Sequence, residues 1–268
     1  MCELFAMSAL HPTNVRISLS ELAQHGGATA PHRDGWGMVF YEGRDVRRFR
    51  EAEAASDSAL VRLIREHDYC SNTVLVHLRK ATQGERSLCN TQPFARELCG
   101  RMHVFAHNGK LPGVEAALPL GRYRPLGETD SEHAFCALMN DMADIWRAPD
   151  EPPPLAERRA VFESLARRTR ELGPANFLYS DGDALFVHAH ERTQADGNFA
   201  PPGLFSLSRR CPHNQEALLM PPVHLTRKKP SDEEQVVTLF ASVALSAEAW
   251  RPLEAGEILV VRDGEVVG

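Results

Sequence analysis

An α+β fold built of sheet and helix layers is predicted by three features of this 268-residue sequence. Short apolar runs typical of strands recur along the whole chain. Turn signals such as Asp-Gly lie beside several of these runs. Helical periodicity is limited to three longer stretches between clusters of strands. Because each element has an apolar face to bury, the elements are expected to stack.

The predicted strands begin at the amino terminus and continue to the end of the chain. In chain order they cover Glu3–Ser8, Gly37–Tyr41, Thr73–Leu78, His103–His107, Asn176–Ser180, Ala184–Ala189, Val236–Val243 and Ile258–Arg262. The Asp181-Gly182-Asp183 segment predicts a hairpin between two of them, because Asp-Gly favours tight hairpin turns. Asn108-Gly109 is also predicted to form a turn after its strand, because Asn and Gly both tolerate the backbone conformations of tight turns.

Three helices are predicted, covering Ser56–Glu66, Asp130–Asp144 and Leu155–Leu172. Asp130 and Ser131 offer N-cap side chains to the second helix, and Gly173-Pro174 ends the third. The Pro-rich segment Arg147–Pro154 is interpreted as a surface loop, so we expect a single domain spanning residues 1–268.

Composition excludes several classes of function. The formal net charge is −6, which disfavours non-specific binding to nucleic acid. No apolar run reaches the roughly 18 residues that a membrane helix needs, and the first residues do not resemble a signal peptide. We therefore expect a cytoplasmic protein that binds neither nucleic acid nor membranes. The six cysteines contain no Cys-x-x-Cys pair, so reduced thiols are expected.

Cys2 is the most informative single residue, because removal of Met1 would make it the amino terminus. Its thiol and a free α-amine would then belong to one residue. An α-amine titrates at about 7.7–8.0, far below a lysine, and so can act as a base near neutral pH. One residue would then supply both the nucleophile and the base, as in enzymes that use an N-terminal nucleophile.

Three further polar clusters lie at the ends of predicted elements. A sheet would bring these ends, and so the clusters, to a common site. They are His77–Gly84, Phe105–Gly109 and Gly127–Glu132. Each has a purely structural interpretation: Arg79 could be a surface arginine, Asn108-Gly109 a turn and Asp130 a helix cap.

Together these clusters fit one reaction, acyl transfer from an amide. The Asn108 amide and the Gly109 N–H could both donate to an oxyanion. Arg79 suits a substrate carboxylate, and Asp130 suits an ammonium group. The combination predicts a pocket for a zwitterion whose amide is directed at the sulfur of Cys2.

The sequence resembles the class II glutamine amidotransferases of the N-terminal-nucleophile hydrolase superfamily, and most of all their stand-alone, YafJ-like branch. The resembling segments are Met1-Cys2-Glu3-Leu4, His32-Arg33-Asp34-Gly35-Trp36-Gly37, His77–Gly84, Asn90-Thr91-Gln92-Pro93-Phe94, His107-Asn108-Gly109 and Thr129-Asp130-Ser131-Glu132. The resemblance implies a four-layer αββα sandwich of two antiparallel sheets flanked by helices. It also implies cleavage of the γ-amide of glutamine through a γ-glutamyl thioester.

The resemblance implies a role for each site residue. Cys2 would be the nucleophile, Asn108 and Gly109 the oxyanion hole, Arg79 the carboxylate site, Asp130 the amino-group site, and Thr82 part of the pocket lining. His77, His107 and Trp36 would shape the pocket or pack in the core. We expect no cofactor and no metal, since neither a P-loop nor a Rossmann glycine pattern is present.

Three functions are compatible with these residues. The first is a stand-alone hydrolase of glutamine or of a larger γ-glutamyl amide. The second is an ammonia-donating subunit that docks on a separately encoded synthetase. The third, which the intact residue set disfavours, is a non-catalytic module that binds γ-glutamyl compounds.

Overall fold

The computed structural model describes residues 2–17, 33–67, 69–81, 83–148, 151–194, 196–211, 223–227 and 234–268. The described strands are β1 (Glu3–Ile17), β2 (Trp36–Glu42), β3 (Asp45–Glu51), β4 (Cys70–Leu78), β5 (Phe94–Leu98), β6 (Arg101–Gly109), β7 (Ala175–Ser180), β8 (Leu185–His188), β9 (Arg192–Thr193), β10 (Phe199–Ala200), β11 (Phe205–Cys211), β12 (Val223–Arg227), β13 (Gln235–Ala241), β14 (Arg251–Pro252), β15 (Ile258–Arg262) and β16 (Glu265–Val266). The described helices are α1 (Ala59–Glu66), α2 (Val114–Ala117), α3 (Asp130–Ile145) and α4 (Leu155–Arg170), with a 3₁₀ turn at Ala55–Asp57.

The described strands form two large antiparallel sheets. The first has the order β14-β11-β13-β1-β4-β2-β3, and β12 also pairs with β1. The second has the order β16-β15-β8-β7-β6-β5. A further pair, β9 and β10, stands apart from both sheets.

Side-chain alternation along the strands separates the layers of the core. Leu4 and Ala6 of β1 face the second sheet and pack with Val104 and Leu178. Phe5 lies on the opposite face of β1. The two sheets therefore lie face to face across an apolar layer.

Helices cover the outer faces of both sheets. Val61 and Ile64 of α1 pack on the first sheet. Phe135 of α3 and Phe162 of α4 pack on the second. The result is the expected αββα sandwich. No helix in the described ranges combines the length and apolarity that crossing a membrane requires.

Most predicted elements are confirmed. Strands β1, β2, β4, β6 and β7 extend beyond the predicted bounds, whereas β8 is shorter than predicted and β13 ends two residues earlier. The predicted Asn108-Gly109 turn is wrong, because these residues pair with Asn176 and Ala175 and continue β6. The predicted cap of α3 is also wrong: Thr129 is the N-cap, its side chain accepts the N–H of Glu132, and Asp130 is the first helical residue.

The remaining differences concern polar or short elements. The first predicted helix is divided into the 3₁₀ turn and α1, separated by Ser58, whose hydroxyl caps α1 by accepting the N–H of Val61. Strand β3 (DVRRFRE) was not predicted, because an edge strand rich in charge lacks the apolar signal of a buried strand.

Candidate active site

Cys2 and Arg79 lie at the same end of the first sheet. Pairing of Glu3 with Leu78 places the residue before β1 beside the residues that follow β4. The Lys80 N–H donates to Cys2 Sγ at 3.3 Å, and the thiol donates to the Lys80 carbonyl oxygen at 3.4 Å. The sulfur is thus held against the segment that begins with Arg79.

The Cys2 thiol is not intrinsically acidic in this position. Burial raises its pKa above the usual range, while the Lys80 N–H and the charge of Arg79 act in the opposite direction. Because the thiolate is the reactive form of cysteine, a base is needed to generate it near neutral pH.

Arg79 carries a buried positive charge whose side-chain hydrogen bonds go to backbone carbonyl groups. Its side chain is 3% exposed, and its guanidinium donates to the carbonyl oxygens of Asp34 at 3.3 Å, Gln83 at 3.0 Å and Gly84 at 3.2 Å. All three acceptors are neutral. Across the described ranges no carboxylate lies within salt-bridge distance of Arg79. The geometry leaves this guanidinium able to pair with an incoming anion.

The Asp34-Gly35-Trp36-Gly37 motif holds the segment after β4. The Gly35 carbonyl accepts the Arg79 N–H at 2.8 Å, and Asp34 Oδ2 accepts the Ala81 N–H at 2.8 Å. Gly35 has φ +140°, and a Cβ there would lie 2.9 Å from Thr91 Oγ1. Glycine is therefore required at position 35, and Asp34 is a positioning residue that sequence reasoning did not identify.

Asn108 is buried at the end of β6. In the described orientation its Nδ2 donates to Ser242 Oγ at 3.4 Å, and its Oδ1 has no hydrogen-bond partner within the described part of the chain. Ser242 Oγ also accepts the N–H of Leu4 at 3.0 Å. Through Ser242, Asn108 is joined to β1 only two residues after Cys2.

Ser242 is itself fixed by charged and backbone groups. Its N–H donates to the Leu4 carbonyl at 3.0 Å, and its own carbonyl accepts from Arg192. Arg192 also donates to Glu3 Oε1 at 3.3 Å. Burial raises the pKa of Glu3 to about 7, partly opposed by Arg192. Sequence reasoning missed Ser242 because it lies 134 positions from Asn108 and carries no local motif.

Gly109 is required because neighbouring atoms leave no space for a side chain. A Cβ at this position would lie 1.8 Å from the Pro174 carbonyl oxygen and 2.6 Å from His107 Nε2. The close approach of the β6 and β7 ends therefore excludes every other residue type at position 109.

Asp130 lies at the start of α3, and both of its oxygens accept backbone N–H groups. Oδ2 accepts from Leu111 at 2.7 Å and Oδ1 from Ser131 at 2.7 Å. The bond to Leu111 holds the carboxylate near the end of β6, where Asn108 and Gly109 lie. No Lys or Arg of the described residues is within salt-bridge distance of this buried carboxylate.

Hydrogen bonds of Asn90 join the loop that follows Arg79 to the loop that precedes Asp130. Its Nδ2 donates to the Glu85 carbonyl at 3.0 Å, and its Oδ1 accepts the Glu128 N–H at 2.8 Å. Gln83 Nε2 adds a bond to the Glu128 carbonyl at 3.1 Å. The segment that follows Arg79 is thus joined to the loop that leads into α3, which begins with Asp130.

His107 is a buried packing residue next to this site. Its Nδ1 lies 2.8 Å from Ser131 Oγ and its Nε2 lies 3.3 Å from the Pro174 carbonyl oxygen. Since the carbonyl can only accept, Nε2 carries a proton, and the Ser131 hydroxyl also lies 3.2 Å from Asp130 Oδ1, to which it donates. Burial lowers the pKa of His107, while the charge of Asp130 and the hydrogen bond to the Pro174 carbonyl act in the opposite direction.

The other predicted residues divide into two groups. Trp36 is fully buried and donates from Nε1 to Glu51 Oε2 at 3.1 Å, and His77 is also buried. Thr82 and Met1 lie outside the described residues. Of the six predicted site residues, the structure therefore describes Cys2, Arg79, Asn108, Gly109 and Asp130, all at strand ends or a helix start joined by the contacts above.

Comparison with known proteins identifies relatives of the whole chain. The family of class II glutamine amidotransferases matches residues 1–268. YafJ of Escherichia coli strain K12, provisionally named a glutamine amidotransferase, is 38% identical over 258 residues, with 96% of each protein covered. A crystal structure from Pseudomonas aeruginosa PA01, described as a predicted glutamine amidotransferase, is 36% identical, covers 99% of both chains and has a TM-score of 0.73.

A more distant solved structure shares the fold alone. It is described as the allosteric regulatory enzyme of purine biosynthesis, and it matches 98% of this chain and 48% of its own at 14% identity and a TM-score of 0.56. Because the family matches the chain over its whole length and YafJ is 38% identical to it, the chain belongs to the class II glutamine amidotransferase family.

Proposed function

We propose that the protein hydrolyses the γ-amide of glutamine, or of a larger γ-glutamyl compound, with Cys2 as nucleophile. The observation that carries this proposal is the pair of buried, oppositely charged groups, Arg79 and Asp130, neither of which has an ionic partner among the described residues. Burying an unpaired charge is costly, so such groups favour a ligand that pairs with them. A free α-carboxylate and α-ammonium would pair with both.

The proposed reaction begins once Met1 has been removed. The α-amine of Cys2 takes the thiol proton as Sγ bonds to the γ-amide carbon, and the carbonyl becomes an oxyanion. The protonated amine then gives its proton to the leaving nitrogen, and the C–N bond breaks to release ammonia or an amine. Water attacks the thioester with the α-amine again as base, the C–S bond breaks, and glutamate leaves.

Asn108 and Gly109 would stabilise the oxyanion. Turning the Asn108 amide by 180° exchanges Oδ1 and Nδ2, and it satisfies the hydrogen bonds better. Ser242 Oγ already accepts the Leu4 N–H, so its own proton is available for Oδ1 of Asn108. The NH₂ group would then occupy the position of the unpartnered atom and could donate to substrate.

We further propose that the chain acts as one domain over residues 1–268 and without a partner, in the cytosol. The family match over this range supports the single-domain organisation. Delivery of ammonia to a separately encoded synthetase is the alternative. That alternative predicts weak turnover by the isolated chain and a large increase when a synthetase is added.

Intact-mass analysis combined with a substrate panel tests the proposal. Loss of Met1, glutamate release from glutamine or a γ-glutamyl amide, and a γ-glutamyl adduct on the wild-type chain are expected. Cys2→Ala should abolish both turnover and adduct. Cys89→Ala, which removes an exposed free thiol, is the matched control and should retain both. Full activity in a chain that keeps Met1 contradicts the mechanism.

A further inference from the structure

A separate cleft of about 330 Å³ opens between the edge strands of the two sheets. Arg48 and Arg50 of β3 and Arg96 of β5 line it, together with Phe94 and the 79% exposed side chain of Leu126. Proposed substrate-binding residues such as Arg79 do not line this cleft.

Strand alternation explains why two arginines of β3 share the cleft. Val46 packs in the layer between the sheets, and Phe49 packs on the outer face of the first sheet. Residues two apart lie on one face of a strand, so Arg48 and Arg50 continue the inner face that Val46 begins. The charged side chains of Arg48 and Arg50 thus lie at the β3 edge of the layer between the two sheets.

The cleft has more positive charge than its acidic residues neutralise. Arg96 is paired with Glu132, whose second oxygen accepts the Gly127 N–H at 2.7 Å. Glu97 also lines the cleft, but its carboxylate accepts the Gly100 N–H. In the part of the chain that the structure describes, Arg48 and Arg50 have no carboxylate within salt-bridge distance.

Burial and repulsion make this arrangement unfavourable in the absence of an anion. Burial and the charge of Arg48 together lower the pKa of Arg50 to about 10, and the charge of Glu132 opposes them. Burial and the charge of Arg96 likewise lower the pKa of Arg48. Arg50 donates to the Thr91 carbonyl, which is neutral and leaves its charge uncompensated. An anion in the cleft would relieve both effects.

We propose that this cleft binds a small organic anion, a carboxylate or phosphate attached to an apolar body, with Arg48 and Arg50 holding the anionic group. Guanidinium groups match both anions through two parallel hydrogen bonds. The exposed side chain of Leu126 and the partly buried side chain of Met102 supply the apolar contacts. The site is distinct from the zwitterion pocket proposed around Arg79 and Asp130, and it does not depend on the reaction assigned to Cys2.

Calorimetric titration with phenyl phosphate tests the site. Saturable binding to the wild-type chain is expected, weakening as salt is added. Binding of inorganic phosphate should be weaker because it lacks the apolar body, and benzyl alcohol should not bind. Arg48→Gln combined with Arg50→Gln should weaken phenyl phosphate binding at least tenfold. Arg47→Gln is the matched control, since Arg47 lies on the same strand, is exposed and pairs with Glu42.

Two results would overturn the proposal: no saturable binding by the wild-type chain, or equal affinity in the double variant. Circular dichroism verifies that the variants fold. If the double variant does not fold, Arg48→Gln alone serves, because Arg48 is the more exposed of the two arginines, and a loss of at least threefold is expected. Retained binding in Arg79→Lys distinguishes this cleft from the substrate pocket.

Discussion

Ser242 joins Asn108 to β1, the strand that begins directly after Cys2. Its hydroxyl lies 3.4 Å from the Asn108 side-chain amide and accepts the Leu4 N–H at 3.0 Å. Since the Leu4 bond occupies an acceptor position, the hydroxyl proton can be given to the Asn108 amide oxygen. The hydroxyl can therefore determine the orientation of that amide, and so which of its ends would face a bound substrate in the proposed reaction.

Ser242→Ala should lower kcat about tenfold and leave KM nearly unchanged. A tenfold loss in rate corresponds to roughly 1.4 kcal/mol, which is the contribution of one hydrogen bond. The amide would lose its fixed orientation in the transition state, whereas substrate recognition by Arg79 would remain. Steady-state kinetics measures the two effects, and Ser208→Ala, which breaks a 2.9 Å bond to Thr238 in the same sheet, is the control. A change confined to KM would show that Ser242 acts on substrate binding.

Asn108→Ala should reduce kcat by roughly 10²- to 10³-fold, the range measured when one oxyanion donor is removed. Substrate affinity should change much less, because the oxyanion forms only in the transition state. Comparing kcat with a dissociation constant measured in an inactive Cys2→Ala background separates the two. Loss of affinity without loss of rate would assign Asn108 to ground-state recognition.

Asp130→Asn should remove the preference for substrates that carry an α-ammonium group. The wild-type chain is expected to prefer glutamine to glutaramate, which lacks the amino group, since Asp130 has no other cationic partner among the described residues. The variant should lose most of that preference, because an amide cannot neutralise the ammonium. Equal preference in both proteins, measured as the ratio of kcat/KM values, would contradict this assignment.

Arg158→Ala should destabilise the fold by about 3–5 kcal/mol, because it leaves buried carboxylate charge without its cationic partner. Arg158 donates to Asp181 at 2.6 Å and to Asp183 at 2.8 Å. Burial would raise the pKa of Asp183, but hydrogen bonds from Arg158 and Arg262 outweigh it and lower the pKa. Urea unfolding measures the loss.

Arg159→Ala provides the adjacent control for Arg158. The Arg159 side chain is partly exposed and pairs with Glu163 one helical turn away. Such pairs contribute about 0.3–0.5 kcal/mol, so little change is expected. Similar losses in both variants would show that burial of the Arg158 network is not what stabilises the turn between β7 and β8.

His103 should make the protein less stable as the pH falls from about 6.5 to 4. Burial lowers its pKa to about 4, and its Nδ1 lies 2.7 Å from the Tyr179 hydroxyl. Within that window the unfolded chain takes up the proton first, so acid favours unfolding by up to about 1.4 kcal/mol per pH unit. His103→Gln should reduce this slope in unfolding curves, whereas His67→Gln, at an exposed position, should not.

Sequence patterns predicted the fold where the signal is local. Apolar runs identified β6 and β7, and helical periodicity identified α3 and α4 within a few residues of their ends. The predicted turn at Asn108-Gly109 was wrong because pairing with β7 overrides the local preference of Asn-Gly. Strand β3 was missed because its charged side chains are tolerated only at a sheet edge, a position that no local pattern reveals.

By itself, the sequence determined which reactive groups are present: the Cys2 thiol, the Arg79 and Asp130 charges, and the Asn108 amide. The kind of chemistry is predicted from these groups. Only the tertiary structure decided what surrounds them. Ser242 is 134 positions from Asn108 and 238 from Leu4, yet it contacts both. Hydrogen bonds and charge repulsion depend on distances in space, and antiparallel pairing creates those distances between segments that are remote along the chain.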